Sequence, residues 1–506
     1  MVAKLPRLLI AGLSGDSGKT IVSLSLLTAL SQKGVDISVF KKGPDYIDSA
    51  WLSIISKTQC RNLDTYLVEP DDVYNIFTGN AGKDISIIEG NRGIFDGKDV
   101  SGTHSTAGLA KLLRAPIILV VDATKSTRTI AALVKGCIDF DPDIVIAGIV
   151  LNRIAGERHK KIITQSIEKY CGLPVLGSIP KLDKNSTIIP GRHLGLVTPQ
   201  ECENNLKLNS ILLEIAEKYL NIGKLIEIAN NAEILDAAAA PASRQVESKT
   251  NNNEKIVKIG YFKDSVFTFY YPENLEALEA SGAELTAISS LNDKSLPDID
   301  ALYIGGGFPE TQAQLLAGNK SMMESVRKAA VSGMPIYAEC GGLIYLSRSL
   351  KYDGKLFLMA GVFPIDLKIN PKPVGHGYTS IKIDYDNPYF ETGSTIKGHE
   401  FHYSGLAANQ LDNPIDSIVS CMDVLTGYGI GKQRDGLVYN NTLACYTHIH
   451  AAGNEKWAEN LIENALQYKE KRSNRSNSWN SNYSKGNNCS NNLNSACAVQ
   501  NISYCG

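Results

Sequence analysis

The chain has 506 residues, a formal net charge of −2 and 43% hydrophobic residues. At roughly 150 residues per domain that length calls for two to four domains, and the near-neutral balance argues against a nucleic-acid binder, which shows a basic excess. The apolar content is that of a soluble globular protein, and no apolar run approaches the roughly 20 residues of a membrane span.

A β-type run and a glycine loop begin almost at once, which leaves no room for a signal-peptide layout, so a cytoplasmic location is expected. Residues 1–222 alternate short Ile/Val-rich runs ("RLLIAG", "ISVF", "ISIIEG", "PIILVVD", "IVIAGIVLNR") with helical stretches such as "KTIVSLSLLTALSQKG". Runs that are apolar throughout fit strands buried on both faces, and strand–helix alternation predicts a parallel sheet covered by helices.

The first strand leads into "AGLSGDSGKT". This ends as a phosphate-binding loop ends, with one residue more between the outer glycines than G-x4-G-K-[ST] allows. Gly12, Gly15 and Gly18 permit the backbone to curl its N–H groups around phosphate oxygens, with Ser17 inside the curl. Lys19 would reach the terminal phosphates and Thr20 would offer a hydroxyl to Mg2+. The bland alternative, a glycine turn with a chance lysine, is disfavoured by a strand before and a helix after. Asp45, in "KKGPDYIDS", and Glu89, in "SIIEGNRGIFDG", each follow a buried run. Together with Thr20 they form a hard oxygen set suited to Mg2+ at the carboxyl ends of the strands.

Residues 223–254 lose apolar periodicity after Leu235 and are expected to be a linker. From 255 to 468 a second α/β unit follows: "VKIGYF" as a strand, "PENLEALEASG" as a helix, "ALYIGGG" as a strand entering a glycine turn, and "PIYAECGGLIYLSRSL" as strand, turn and helix. Cys340 stands on that last turn in the manner of a nucleophile elbow. The N–H groups after it, at Gly341, and those of Gly306 and Gly307 in the other turn, are candidates for an oxyanion hole. A helix start is expected to favour the thiolate. The base expected for the thiol is His448 in "ACYTHIHAAG", with His450 on the same face if that stretch is extended. His399 and His402 in "GHEFHYSG" are weaker candidates. Residues 469–506, rich in Asn and Ser, are expected to be disordered. Three of the ten cysteines lie there (Cys489, Cys497, Cys505), and no CxxC pair suggests zinc.

The glycine turn, C-G-G elbow and late histidine resemble a class I glutamine amidotransferase domain. Many such domains place a Glu two residues after the His, where this chain has His450, and a Cys–His dyad without that Glu is typical of the cobyric-acid-synthase type. Fused to a variant P-loop of the dethiobiotin-synthetase kind, the whole is similar to the cobyrinate a,c-diamide synthase family. The matching stretches are "KKGPDYID", "EGNRGIFDG", "FYYPENLEALEASGAEL", "YIGGGFPE", "YAECGG" and "GHEFHYS". The resemblance implies an ATP- and Mg2+-dependent ligase that takes ammonia from glutamine and amidates the a and c acetates of a tetrapyrrole through acyl phosphates. It also implies that Tyr46 and Asp96 lie near the reacting carboxylate. His399, Glu400 and His402 are set against the macrocycle, with a structural strand turn as the alternative. The same chemistry on a sirohydrochlorin-type ring, and a P-loop switch ATPase with an inactive second domain, are the rival readings. The partners are small molecules, and a homodimer is left open.

Overall fold

Along the first strand, Leu9 and Ala11 enter one apolar cluster and Leu8 and Ile10 another, all with no exposed surface. The same division repeats at Ile117, Leu119 and Val121 against Ile118 and Val120. Side chains alternate across a strand, so a run that is apolar at every position is a sheet with a core on each face.

The computed structural model describes residues 2–82, 84–182, 205–236, 256–407 and 419–486, with 191–192, 195–196 and 199 as short pieces between. In chain order the first unit has β1 (Arg7–Gly12), α1 (Lys19–Gln32), β2 (Ile37–Lys42), α2 (Tyr46–Ser56), β3 (Arg61–Leu63) and α3 (Pro70–Asn80). It continues with β4 (Ile85–Gly93), α4 (Thr106–Leu112), β5 (Ile117–Asp122), α5 (Thr129–Phe140), β6 (Ile146–Ile154), α6 (Glu157–Cys171), β7 (Val175–Pro180), α7 (Asn205–Tyr219) and α8 (Ile222–Asn230). The strands pair in the order β3-β2-β4-β1-β5-β6-β7, all parallel. The glycine loop, Asp45 and the end of β4 therefore meet at one edge of the sheet, where the strands finish.

The expected linker is structured at its start. Helix α8 carries Ile222, Leu225 and Ala229 into the second of those clusters, Leu235 joins the first, and Leu235–Asp236 pairs with Val2–Ala3. The buried Arg7 donates to the Glu233 carbonyl at 2.6 Å, which ties this segment to the base of β1. Apolar residues three and four apart supply a helix face that the polar character of the following stretch obscures.

The second unit has β8 (Val257–Phe262), α9 (Pro272–Ala280), β9 (Ala283–Ile288), β10 (Ala301–Ile304), α10 (Lys320–Val331), β11 (Ile336–Glu339) and α11 (Gly341–Leu346). There follow β12 (Gly375–Ile383), β13 (Thr395–His402), β14 (Val419–Thr426), β15 (Arg434–Tyr439), β16 (Thr442–Cys445) and α12 (Lys456–Gly486). Its sheet runs β9-β8-β10-β11-β16-β15-β14-β12-β13. Pairing is parallel up to β16 and antiparallel beyond. The sheet is therefore mixed, and Cys340 follows β11, one of its inner strands.

Helix α12 runs past the expected start of the tail, through Gly486. It is held by Arg472, which pairs with Asp298 and Asp300 at 2.9 Å each. Cys489, Cys497 and Cys505 lie outside the described residues. Among the described residues no helix is long and apolar enough to cross a membrane.

Candidate active site

The glycine loop leaves β1 and enters α1 through Gly18, whose φ of 98° is left-handed. A Cβ there would stand 2.1 Å from the Asn152 side-chain nitrogen. Asn152, at the end of β6, donates to the Ser17 carbonyl at 2.9 Å and pins the loop. The Ser17 hydroxyl is buried with no partner inside the curl. Lys19 points back along the loop and donates to the Arg92 carbonyl at 2.7 Å.

Thr20 and Glu89 come together: the Thr20 hydroxyl donates to Glu89 Oε1 at 3.0 Å. The same oxygen accepts from Lys41 at 2.8 Å, and Lys41 also holds Asp48 at 2.6 Å. Glu89 Oε2 is buried with no partner. Asp45 has a use that the sequence did not reveal. One of its oxygens caps α2, accepting from the Ile47 and Asp48 N–H groups at 2.9 Å each. Burial and the neighbouring Asp48 raise Asp45 to about 7. Asp48, on the first turn of α2, also stands near Glu89 through Lys41, and Asp45 and Asp48 both line the cavity with Lys19 and Thr20. Among the described residues no three His, Cys, Asp or Glu side chains gather to hold a metal by themselves. Mg2+ at a phosphate site needs only one or two carboxylates besides phosphate and water. The partnerless Glu89 oxygen, Asp48 and the Thr20 hydroxyl fit that requirement.

At the other unit, Cys340 sits at φ 47° and ψ −94°, a conformation outside helix and strand. Its N–H donates to the Cys445 carbonyl on β16 at 2.7 Å, which anchors the turn. Gly307 at φ +155° is fixed because a Cβ would stand 1.7 Å from the Val266 carbonyl oxygen. A Cβ on Gly341 would be 2.9 Å from the Gly307 nitrogen, and one on Gly306 would meet the His448 ring at 2.4 Å. The three candidate oxyanion glycines, the thiol turn and His448 are therefore packed together. Burial pushes the Cys340 thiol well up, helped by Glu310. The Gly341 N–H, after the thiol, acts in the direction expected of a helix start and opposes this. Helix α11 has six residues, too short a dipole to offset that desolvation.

His448 is fastened by a two-way backbone bridge with His399, at 3.0 and 2.8 Å, and their rings stack at 4.9 Å. Its Nδ1 stands 3.4 Å from Glu339 Oε2. Glu339 is fully buried and accepts from Tyr303, Tyr337 and the Ile449 N–H, each at 3.2 Å. The residue before the nucleophile thus brings a carboxylate near the histidine, where many such domains have a Glu two positions after it. His450 is buried, 3.5 Å from Glu273, and its ring lies against Tyr271 at 4.8 Å. His399 is kept neutral by burial and by the other two histidines. His402 stacks on Tyr446 at 3.6 Å and meets the Ser404 carbonyl at 2.8 Å. Glu400 accepts from the N–H groups of Tyr428 and Gly429 at 2.6 and 2.9 Å.

The two units close on each other through Arg61, which pairs with Glu273 and Glu276 at 2.9 and 2.6 Å. The Tyr378 hydroxyl also donates to Asp64 at 2.8 Å, and Tyr46 stacks on Phe269 at 4.9 Å. The Tyr46 ring is 5.4 Å from that of His448. Asp96 accepts from the Gly93 N–H at 2.8 Å. Between the units lies a cavity of about 1400 Å3 lined by Gly15, Gly18, Lys19 and Thr20 at one end and by Cys340 and His448 at the other. Tyr46, Asp96, His399 and His402 line it as well.

Residues 8–193 match the CobQ/CobB/MinD/ParA nucleotide binding domain, and residues 258–456 match the CobB/CobQ-like glutamine amidotransferase domain. A cobyrinate a,c-diamide synthase of Magnetococcus marinus is 39% identical over 90% of this chain and 97% of its own. The chain belongs to the cobyrinate a,c-diamide synthase family. Relatives of the same name from Archaeoglobus fulgidus (38% identical, 92% of this chain and 98% of the relative) and Methanosarcina acetivorans (36%, 92% and 97%) extend the likeness. As a member of this family the chain is a nucleotide-binding, amide-forming ligase fed by glutamine. Asp48, Asn152 and Glu339 are the site residues that sequence reasoning missed. Only Glu339, a charged residue closing a buried apolar strand beside a candidate nucleophile, left a signal.

Proposed function

We propose that the protein amidates the a and c acetate carboxylates of cobyrinate, hydrolysing ATP and glutamine, in the cytoplasm. The observation that carries this reading is the single cavity with a phosphate loop at one end and a thiol–histidine pair at the other. A carboxylate does not condense with ammonia at neutral pH, because its leaving group would be oxide; transfer of the γ-phosphate makes phosphate the leaving group instead.

At the thiol end, Cys340 passes its proton to His448 and attacks the glutamine side-chain amide. The N–H groups of Gly341 and Gly307 receive the developing oxyanion. His448 gives the proton to departing ammonia, and water then releases glutamate from the thioester. Glu339 holds the imidazole with Nδ1 towards itself and steadies the imidazolium, the part an acid plays in a triad. Because the buried thiol resists ionising alone, the thiolate forms as a pair with that imidazolium.

At the phosphate end, Lys19 leaves the Arg92 carbonyl for the terminal phosphates and the loop N–H groups surround them. Thr20, Glu89 and Asp48 would hold Mg2+, with Asp45 fixing the start of α2, and the ion would supply charge neutralisation for the nucleotide phosphates. Tyr46 and Asp96 border the space where the ring acetate would lie, and ammonia crosses the shared cavity.

The test is a substrate panel at fixed MgATP and glutamine: cobyrinate, hydrogenobyrinate, sirohydrochlorin, nickel sirohydrochlorin and sirohaem, with products read by mass. Two amidations of cobyrinate are expected. Turnover of only a sirohydrochlorin-type ring would move the same chemistry to another substrate. No amidation of any ring would overturn the reading.

A further inference from the structure

Strand alternation sends the two lysines that close β2 to opposite faces. Lys41 goes to Asp48 and Glu89. Lys42 is 5% exposed and lines the cavity, and its ammonium makes no hydrogen bond or ion pair among the described residues. Desolvation lowers its pKa. A buried ammonium with no hydrogen-bonded partner is costly, and a ligand that supplies an acceptor offsets that cost. Asp64 is the acid that bears on Lys42 most strongly, yet its oxygens are already taken by the N–H groups of Tyr66 and Leu67 and by the Tyr378 hydroxyl.

Lys42 is not isolated. Arg92, Lys98, His104 and His376 line the same cavity. Burial lowers the pKa of His104, with Asp64 opposing and Lys42 and Lys98 adding to the fall; burial likewise lowers His376, with Arg92 adding and Glu400 opposing. Lys98 lies 4.2 Å over the Tyr66 ring, and His104 meets the Thr65 hydroxyl at 3.0 Å; neither contact neutralises charge. Lys42 forms the buried floor of this group, and Arg92, Lys98 and His376 form an exposed rim. His376 comes from the glutaminase unit and the others from the ligase unit, so the group is complete only when the two are closed.

We propose that Lys42, Arg92, Lys98, His104 and His376 form a binding subsite for ring carboxylates of the polycarboxylate substrate other than the one being activated. The proposal rests on the reading that the substrate is a tetrapyrrole carrying several acid side chains. Charge-assisted contacts at a floor and a rim orient such a ring better than a flat apolar wall would, because a carboxylate displaced from them leaves a buried cation unpaired. The subsite serves binding more than chemistry, so its loss raises the ring KM and leaves kcat largely intact.

The experiment compares the parent with Lys42→Gln and Lys42→Arg, measuring kcat and KM separately for cobyrinate, ATP and glutamine. A tenfold or greater rise in the cobyrinate KM is expected for Lys42→Gln, with kcat, the ATP KM and glutamine hydrolysis within about twofold of the parent. Lys42→Arg should recover most of the loss. Added salt should weaken cobyrinate binding more in the parent than in Lys42→Gln. An unchanged cobyrinate KM would overturn the proposal. So would a rise confined to the ATP KM, which would give the cations to nucleotide phosphates. If the parent amidates no ring, the functional reading fails by itself. Equilibrium dialysis of cobyrinate against parent and Lys42→Gln still decides the subsite: equal binding overturns it, and weaker binding by the variant supports it.

Discussion

The two ends of the cavity are built on different principles. At the thiol end the backbone does the positioning. Cys340 is held at φ 47° on a buried strand end, and His448 is clamped between the His399 bridge and Glu339. At the phosphate end the side chains hold one another in place of a ligand: Lys19 on a carbonyl, Lys41 on two carboxylates, and one Glu89 oxygen on nothing. A neutral substrate such as a side-chain amide can be met by a rigid site. A site for phosphates and a divalent cation must store its charges until they arrive, and storing them in internal pairs limits the cost of burial.

The largest expected effect separates the ends outright. Lys19→Ala should lower ligase turnover by about 10²–10³-fold, the scale for losing an electrostatic stabiliser of a transition state. Glutamine hydrolysis measured alone should persist; equal loss of both activities would show that the ends are not separable. Next, Glu339→Gln should lower glutamine-dependent kcat by about 10²-fold, in the range for general acid–base steps, with the glutamine KM and ammonia-dependent amidation near parental. A change in KM alone would make Glu339 a packing residue.

Arg61→Ala removes the charge that bridges the two units and leaves Glu273 buried beside His450. Roughly 2 kcal/mol of stability should be lost, as for a hydrogen bond to a charged group. Denaturant unfolding measures it, and no change in midpoint would make the bridge incidental.

The smallest effect concerns Asp45, raised to about 7 from an ordinary 3.8. Between those values the folded chain keeps a proton that the unfolded chain has lost, so stability falls as pH rises through the window. Asp45→Asn can still cap α2 but carries no charge. Without nucleotide it should melt above the parent at pH 8, with the gap closing towards pH 4. A gap independent of pH would contradict the raised value.

What could be read from the sequence was local. The order Gly18, Lys19, Thr20 and the turn around Cys340 are contiguous, and a strand before with a helix after gives each its meaning. Glu339 and His448 meet only because β11 and β16 pair in one register, Glu339 opposite Cys445, and spacing along the chain does not encode that. Asp48 reaches Glu89 through Lys41 on the neighbouring strand, a link that spacing does not show, and the cap that Asp45 makes on α2 is a second use that the sequence did not reveal. The helix start after Cys340 is visible in the sequence, while the burial that opposes it comes from distant residues and is not. Helix α8 was missed although Ile222, Leu225, Ile226 and Ala229 carry its apolar face, because the polar stretch after Leu235 dominated the reading of the segment.

The central claim is that one cavity joins an ammonia-releasing end to an ammonia-consuming end. The most direct measurement is cobyrinate amidation by the Cys340→Ala protein at saturating MgATP, supplied in turn with glutamine and with ammonium chloride, products read by mass. The account predicts no diamide from glutamine and near-parental diamide from ammonia. Loss of both would place Cys340 in the ligase reaction or in the fold, and undiminished amidation from glutamine would remove it from the chemistry altogether; either result would contradict the account.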